Sequence, residues 1–249
     1  MNLLLVDQRE DSYFVGPDDP RLAAILRLRE ERICLGMVDG PRGIGKWCGS
    51  AQEGVTVSEV RWEEVFPPSP PLHLVVGLPR PAEARRILVQ SAAMGLRRLT
   101  FVELDRTPPG YVDSRSLAPA AIHRLLREGL EQGFHTALPR VDFVRGLNAV
   151  LGKITSRDTA IVLDPYLGEN LLGDDTGQWN SPVTVILGSE RGFSPGEQEA
   201  ICATGMMCCH LGSTILRTET AVVAALTLAH RRLGVLASRQ RTIIRPGEL

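Results

Sequence analysis

Two short glycine-bracketed loops hold the residues best suited to chemistry. Gly188-Ser189-Glu190-Arg191-Gly192 follows the apolar run Val183-Thr184-Val185-Ile186-Leu187. Leu211-Gly212-Ser213-Thr214-Ile215-Leu216-Arg217 ends a second apolar run. Each loop opens a helix. After the first, Ser194 is an N-cap, Pro195 takes the first helical position and Glu197 completes a capping box. Glycine lets backbone approach a ligand closely and takes positive φ where a turn is sharp. N–H groups near a helix start bind anions or the edge of a flat heterocycle. Both strands run the same way, so side by side their loops would form one pocket at the carboxyl ends of a parallel sheet. The spacing is not G-x-x-x-x-G-K-S/T, which excludes a nucleoside triphosphate loop. It is not G-x-G-x-x-G after the first strand, which disfavours a dinucleotide fold.

The elements that position these loops change character at a proline cluster. Residues 67–71 (Pro67-Pro68-Ser69-Pro70-Pro71) fit neither sheet nor helix and read as a stiff linker. Before it, residues 1–66 read as a small β-barrel. Its short runs are Leu3–Val6, Ile33–Val38, Val55–Val57 and Val60–Trp62, with a turn at Asp39-Gly40-Pro41-Arg42-Gly43 and a helix over Arg21–Arg29. Beyond the linker, residues 72–236 alternate strand and helix. Strands are expected at Leu72–Leu78, Leu99–Val102, Leu138–Val141, Thr159–Leu163 and Val183–Leu187. Helices are expected at Pro81–Met94, Ala118–Gln132, Asp142–Val150 and Thr218–Leu233. That alternation argues an α/β domain with a parallel sheet covered on both faces. Residues 237–249 form a basic tail.

Composition narrows the function classes. The 249 residues are 43% hydrophobic, enough for a large core, and the net charge of −1 does not announce a nucleic-acid partner. Aromatic residues are only 5%, which disfavours a platform of many stacked rings. Charge is uneven, however: residues 71–140 carry 10 basic and 6 acidic side chains. The pairs Arg85-Arg86 and Arg97-Arg98 there are either a phosphate-facing surface or solvated helix ends. Five cysteines without a C-x-x-C fit reduced thiols in the cytoplasm. The N-terminal MNLLLVDQRE is too short an apolar run for a signal peptide, and no stretch approaches a membrane span. Cys208 and His210 would share one strand face, but two ligands make a weak site, so no metal is expected.

The two loops have a more specific likeness. GSERGFSPGE followed by LGSTILRTETA resembles the paired late motifs of the knotted, SPOUT-class RNA methyltransferases. Within that class the chain is similar to the family that makes 3-methyluridine in 16S ribosomal RNA, whose motifs are G-P-E-G-G-F/W-S/T-x-x-E and L-G-x-x-I-L-R-x-E-T-A. The second matches throughout Leu211–Ala221, and the first at Gly188, Glu190, Gly192, Phe193, Ser194 and Glu197. LVVGLPRPAEARRIL at 74–88 resembles the family's first strand and helix. Ile25–Arg27 and the Asp39-Gly40 turn resemble its PUA-like barrel.

The resemblance implies a trefoil-knotted domain that binds S-adenosyl-L-methionine, a homodimer packed through the knot, and a barrel that helps grip ribosomal RNA of the small subunit. It implies a cofactor cleft built from Leu163, Leu187, Gly188, Glu190, Gly192, Leu211, Gly212, Ile215 and Leu216. Arg217 is expected to stabilise negative charge on the target base, with Glu219 orienting it or acting as base. Arg21, Arg27, Arg85, Arg86 and Arg191 are the expected RNA contacts. Ser189 and Arg191 stand where the family has proline and glycine. His135 replaces an arginine, and Ala93 an acid. These departures leave open another RNA or base as target, or an RNA-binding paralogue without turnover.

Overall fold

The computed structural model describes residues 3–28, 31–63, 71–155, 158–174, 179 and 182–237. Apart from Pro71, the expected proline linker lies outside the described residues, as does the tail from residue 238.

The N-terminal sheet has five strands: β1 (Leu4–Val6), β2 (Tyr13–Val15), β3 (Arg32–Met37), β4 (Arg42–Ser50) and β5 (Gly54–Trp62). Their order is β1-β3-β4-β5-β2, with β1 parallel to β3 and the other pairs antiparallel. The expected strands over 55–57 and 60–62 are one strand, β5. Its irregularity falls at Glu59, whose φ of 50° bends the chain without ending the pairing. β4 has no apolar run to betray it. Its glycines are packing devices: a Cβ at Gly43 would meet the Arg61 carbonyl oxygen at 2.7 Å, and one at Gly45 would meet Val57 Cγ1 at 2.7 Å. The expected helix over 21–29 shrinks to α1 (Leu22–Ile25), whose Leu22 and Ile25 are its buried residues.

The second sheet is parallel throughout. Its strands are β6 (Leu72–Gly77), β7 (Arg98–Glu103), β8 (Arg140–Arg145), β9 (Thr159–Leu163), β10 (Asn170–Leu171), β11 (Val183–Leu187) and β12 (Met207–His210). The order is β10-β12-β9-β11-β6-β7-β8. Helices α2 (Pro81–Ala93), α3 (Pro119–Gly133), α4 (Asn148–Leu151), α5 (Pro195–Thr204) and α6 (Thr218–Arg232) cover it. Alternate side chains of one strand enter opposite layers. Val183, Val185 and Leu187 join the core with α2, α3 and α6, whereas Ile186 faces Leu147, Val150 and Ile201 of the α4–α5 side. Residues 142–145, expected as helix, are instead strand. Phe143 packs its ring on Phe101 at 5.5 Å while Val144 joins the opposite layer, a period of two rather than 3.6. Among the described residues no helix is long and apolar enough to cross a membrane.

The two sheets share a core through β1. Leu4 and Val6 turn into the N-terminal cluster, and Leu3 and Leu5 into the large α/β cluster. Polar contacts hold this junction. Glu131 of α3 accepts the Leu5 N–H at 3.2 Å, and Arg127 reaches the Leu5 carbonyl at 3.0 Å. Arg21, expected to contact RNA, bonds Asp19 at 2.7 Å, the Leu5 carbonyl at 3.1 Å and Glu131 at 3.5 Å. Its guanidinium is therefore committed to the junction, and the Arg21 bond holds the Asp19 carboxyl below its usual range. At the other end, the Thr136 hydroxyl donates to the Gly40 carbonyl and the Asp39 carboxylate accepts the Leu138 N–H.

His135 sits in this junction under Gly95, where an added Cβ would meet its ring at 2.7 Å. Burial lowers its pKa to about 4, and neighbouring Arg42 adds to the effect. A depressed folded pKa means that its stabilising effect is complete above the unfolded value near 6.5 and is lost as pH falls through about 4. The full span is worth about 3 kcal/mol. His135→Gln is expected to flatten the loss of stability between pH 6.5 and 4 relative to wild type. Urea titrations across that range check this; parallel pH profiles would refute it.

Candidate functional site

The predicted loops do converge, though not as neighbours. β9 lies between β11 and β12, so a third loop, Asp164–Gly168, is inserted between Gly188–Gly192 and Leu211–Arg217. Together they line a cleft of about 750 Å³, within the range typical of small-ligand sites. Its floor is apolar: Leu163 and Leu187 are register partners and almost wholly buried. All nine residues expected to hold the cofactor line it, together with Arg191, Arg217 and Glu219. Arg21, Arg27, Arg85 and Arg86 do not.

Each loop is held by local chemistry. Gly77, ending β6, lies so close to the first loop that a Cβ would meet the Ser189 nitrogen at 2.6 Å. The Gly192 N–H closes a turn onto the Ser189 carbonyl at 2.9 Å, with Gly192 at φ 64°. The capping box is complete: Ser194 N–H donates to Glu197 at 2.8 Å, and Glu197 N–H to the Ser194 hydroxyl at 3.2 Å. The buried Glu197 also accepts the Asp105 N–H at 3.0 Å, and the Ser194 hydroxyl donates to Asp105 at 2.6 Å. Arg106 then donates to the Arg191 carbonyl at 3.0 Å, so the turn after β7 clamps the loop after β11. The middle loop is an Asp turn. Asp164, 4% exposed, accepts the N–H groups of Tyr166 at 2.8 Å and Leu167 at 3.0 Å. In the last loop the Gly212 N–H donates to His210 Nδ1 at 3.0 Å, which takes that group away from any ligand. The N–H groups of Ile215 and Leu216 have no acceptor among the described residues.

Charge is unevenly satisfied here. Glu190 pairs with Arg80 at 3.7 Å. Glu219, in the first turn of α6, pairs with Arg86 at 3.2 Å and not with Arg217. The exposed guanidinium groups of Arg191 and Arg217 make no ion pair among the described residues. Sequence reasoning missed Arg80, Arg106, Asp164, Tyr166 and His210 as cleft residues. The Asp164-Pro165 turn signal at a strand end was available for one of them. Among the described residues no three His, Cys, Asp or Glu side chains could hold a metal ion. Burial pushes the Cys208 thiol up, which keeps it protonated.

The glycine contacts make a direct test of this construction. Gly77→Ala must displace the Ser189 backbone and is expected to cost about 1–3 kcal/mol. Gly196→Ala, with nothing within 4 Å of its Cβ and in the first turn of α5, should be neutral or stabilise by up to ~1 kcal/mol. Denaturant unfolding of both variants reads the difference, and equal effects would refute the close approach.

Known proteins share this architecture. The model of the RNA methyltransferase domain matches residues 67–230. Ribosomal RNA small subunit methyltransferase E of Treponema pallidum is 26% identical over 273 residues, covering 100% of this chain and 96% of that protein. Ribosomal RNA small subunit methyltransferase E 1 of Borreliella burgdorferi is 29% identical over 65% of this chain and 68% of its own length. Ribosomal RNA small subunit methyltransferase E of Neisseria gonorrhoeae, solved bound to S-adenosyl methionine, superposes with a TM-score of 0.70 at 19% identity. That alignment covers 93% of this chain and 97% of the other. A probable rRNA-methyltransferase from Porphyromonas gingivalis gives a TM-score of 0.72 at 18% identity over 95% and 100%. Of the expected fold, a knotted α/β parallel-sheet domain preceded by a small PUA-like β-barrel, the parallel seven-stranded sheet and the small N-terminal β-domain are borne out. On a match over most of its length, the chain belongs to the RNA methyltransferase domain family.

Proposed function

We propose that the chain is an S-adenosyl-L-methionine-dependent enzyme that methylates N3 of a uridine in 16S ribosomal RNA. The observation that carries this reading is the Arg217 guanidinium, without an ion-pair partner among the described residues, at a cleft formed by both late motif loops. The residues fit the cofactor. Leu163 and Leu187 give an apolar floor, and the N–H groups of Ile215 and Leu216, without an acceptor among the described residues, suit the polar edge of an adenine. Bound there, S-adenosylmethionine supplies an already activated methyl group, which leaves the protein alignment and charge stabilisation.

A uracil N3–H must give up its proton, to solvent water in the open cleft, before it can accept a methyl group, and the ring becomes negative as it does. The Arg217 guanidinium can meet that charge without leaving a carboxylate among the described residues. Glu219 is nearly buried and bonded to Arg86. Its role is to fix the first turn of α6 that carries Arg217, rather than to act as base. Arg191, Arg27 and Arg85 are exposed and suited to RNA phosphates, with the N-terminal sheet as the second grip. The enzyme works in the cytoplasm as a homodimer packed through the knot formed by the late loops. The return of α6 onto α2 after β12 supports that threading.

Arg217→Ala should lower methyl transfer by about 10²–10³-fold and leave cofactor affinity, measured by calorimetry, nearly unchanged. Wild-type turnover in that variant would refute the assignment. Nucleoside analysis of 16S ribosomal RNA from cells with and without the gene tests the target. Unchanged 3-methyluridine would turn the reading to another RNA or base, and purified protein that methylates no RNA would turn it to a binding paralogue.

A further inference from the structure

The middle loop of the cleft carries a feature that the cofactor contacts proposed above do not use. Tyr166 is 78% exposed, and Ile215, on the flanking loop, is 70% exposed. Both line the cleft. Large apolar groups left in solvent at the rim of a groove mark a binding surface. The backbone that carries Tyr166 is also fixed in place. Its N–H and that of Leu167 are held by the buried Asp164 carboxylate, and the Gly168 N–H returns to the Asp164 carbonyl at 3.0 Å. Beyond the ring, Gly168 lies against β12, where a Cβ would meet the Cys209 carbonyl carbon at 2.3 Å. The turn is therefore ordered before any ligand arrives, so stacking on this ring has to order the side chain but not the backbone that carries it.

Resting on the reaction proposed above, we propose that Tyr166 is a stacking platform for the target base, with Ile215 as the apolar contact across the cleft. A uracil held out of its strand has two bare faces, and proteins that take single-stranded RNA cover such faces with aromatic rings. The surroundings match a nucleotide rather than an apolar partner. Arg106 and Arg191 line the same cleft and can take the flanking phosphates, which leaves Arg217 for the base, while the buried floor of Leu163 and Leu187 lies below the rim. Tyr166 acts by positioning: it holds the ring where Arg217 meets the charge.

The test uses the full-length protein and 16S ribosomal RNA transcribed in vitro. Tyr166→Ala is expected to weaken RNA binding and lower kcat/KM by about tenfold or more. Tyr166→Phe keeps the ring and should stay close to wild type. Cofactor affinity by calorimetry and oligomeric state by sedimentation should not change in either variant. The proposal is overturned if Tyr166→Ala binds and methylates RNA like wild type. It is equally overturned if that variant loses cofactor affinity, which assigns the ring to the cofactor, or changes oligomeric state, which assigns it to a second copy of the chain. If wild type leaves the RNA unmethylated, the proposed reaction fails on its own. The RNA affinities of wild type and Tyr166→Ala then still decide the platform, and equal values refute it.

Discussion

The site depends on the in-register parallel pairing of β9, β11 and β6. Leu187 stands opposite Leu163 on one side and Val76 on the other. Parallel strands all point the same way, so every carboxyl end reaches one edge of the sheet. β12 joins the same level, with Cys209 opposite Leu163. The loops that follow these four strands leave the sheet together, from chain positions more than a hundred residues apart. Parallel pairing also requires cover on both faces. This explains why β11 is wholly buried along its length and why its side chains divide between two clusters.

Local patterns in the sequence carried well into three dimensions where one physical rule decided them. The capping box at Ser194 and Glu197 depends only on residues three apart, and it forms. The continuous apolar runs became central parallel strands. Elements decided by distant partners were not legible. β4 is a strand because its glycines allow close contact with β5, and nothing within β4 itself signals this. The position of β9 between the two motif loops follows from the crossover order, which no single segment encodes. Arg86 reads as an RNA contact because its partner, Glu219, lies far along the chain.

Those long-range pairings also settle an apparent conflict over charge. A chain with a net charge of −1 offers no general attraction for a polyanion. A site, however, responds to the local field, and that depends on which charges are already neutralised. At the cleft, Glu190 is taken by Arg80 and Glu219 by Arg86, while Glu197 and Asp164 accept backbone N–H groups. Arg191 and Arg217 are left over at the rim. The arginines of both pairs are largely exposed, so the pairs act mainly by cancelling the charge of Glu190 and Glu219 close to the cleft, and salt screens what remains. Apart from Glu83, whose Oε2 has no hydrogen-bond partner among the described residues, the acids of the site thus serve to order its loops, and the exposed cations favour an anionic ligand.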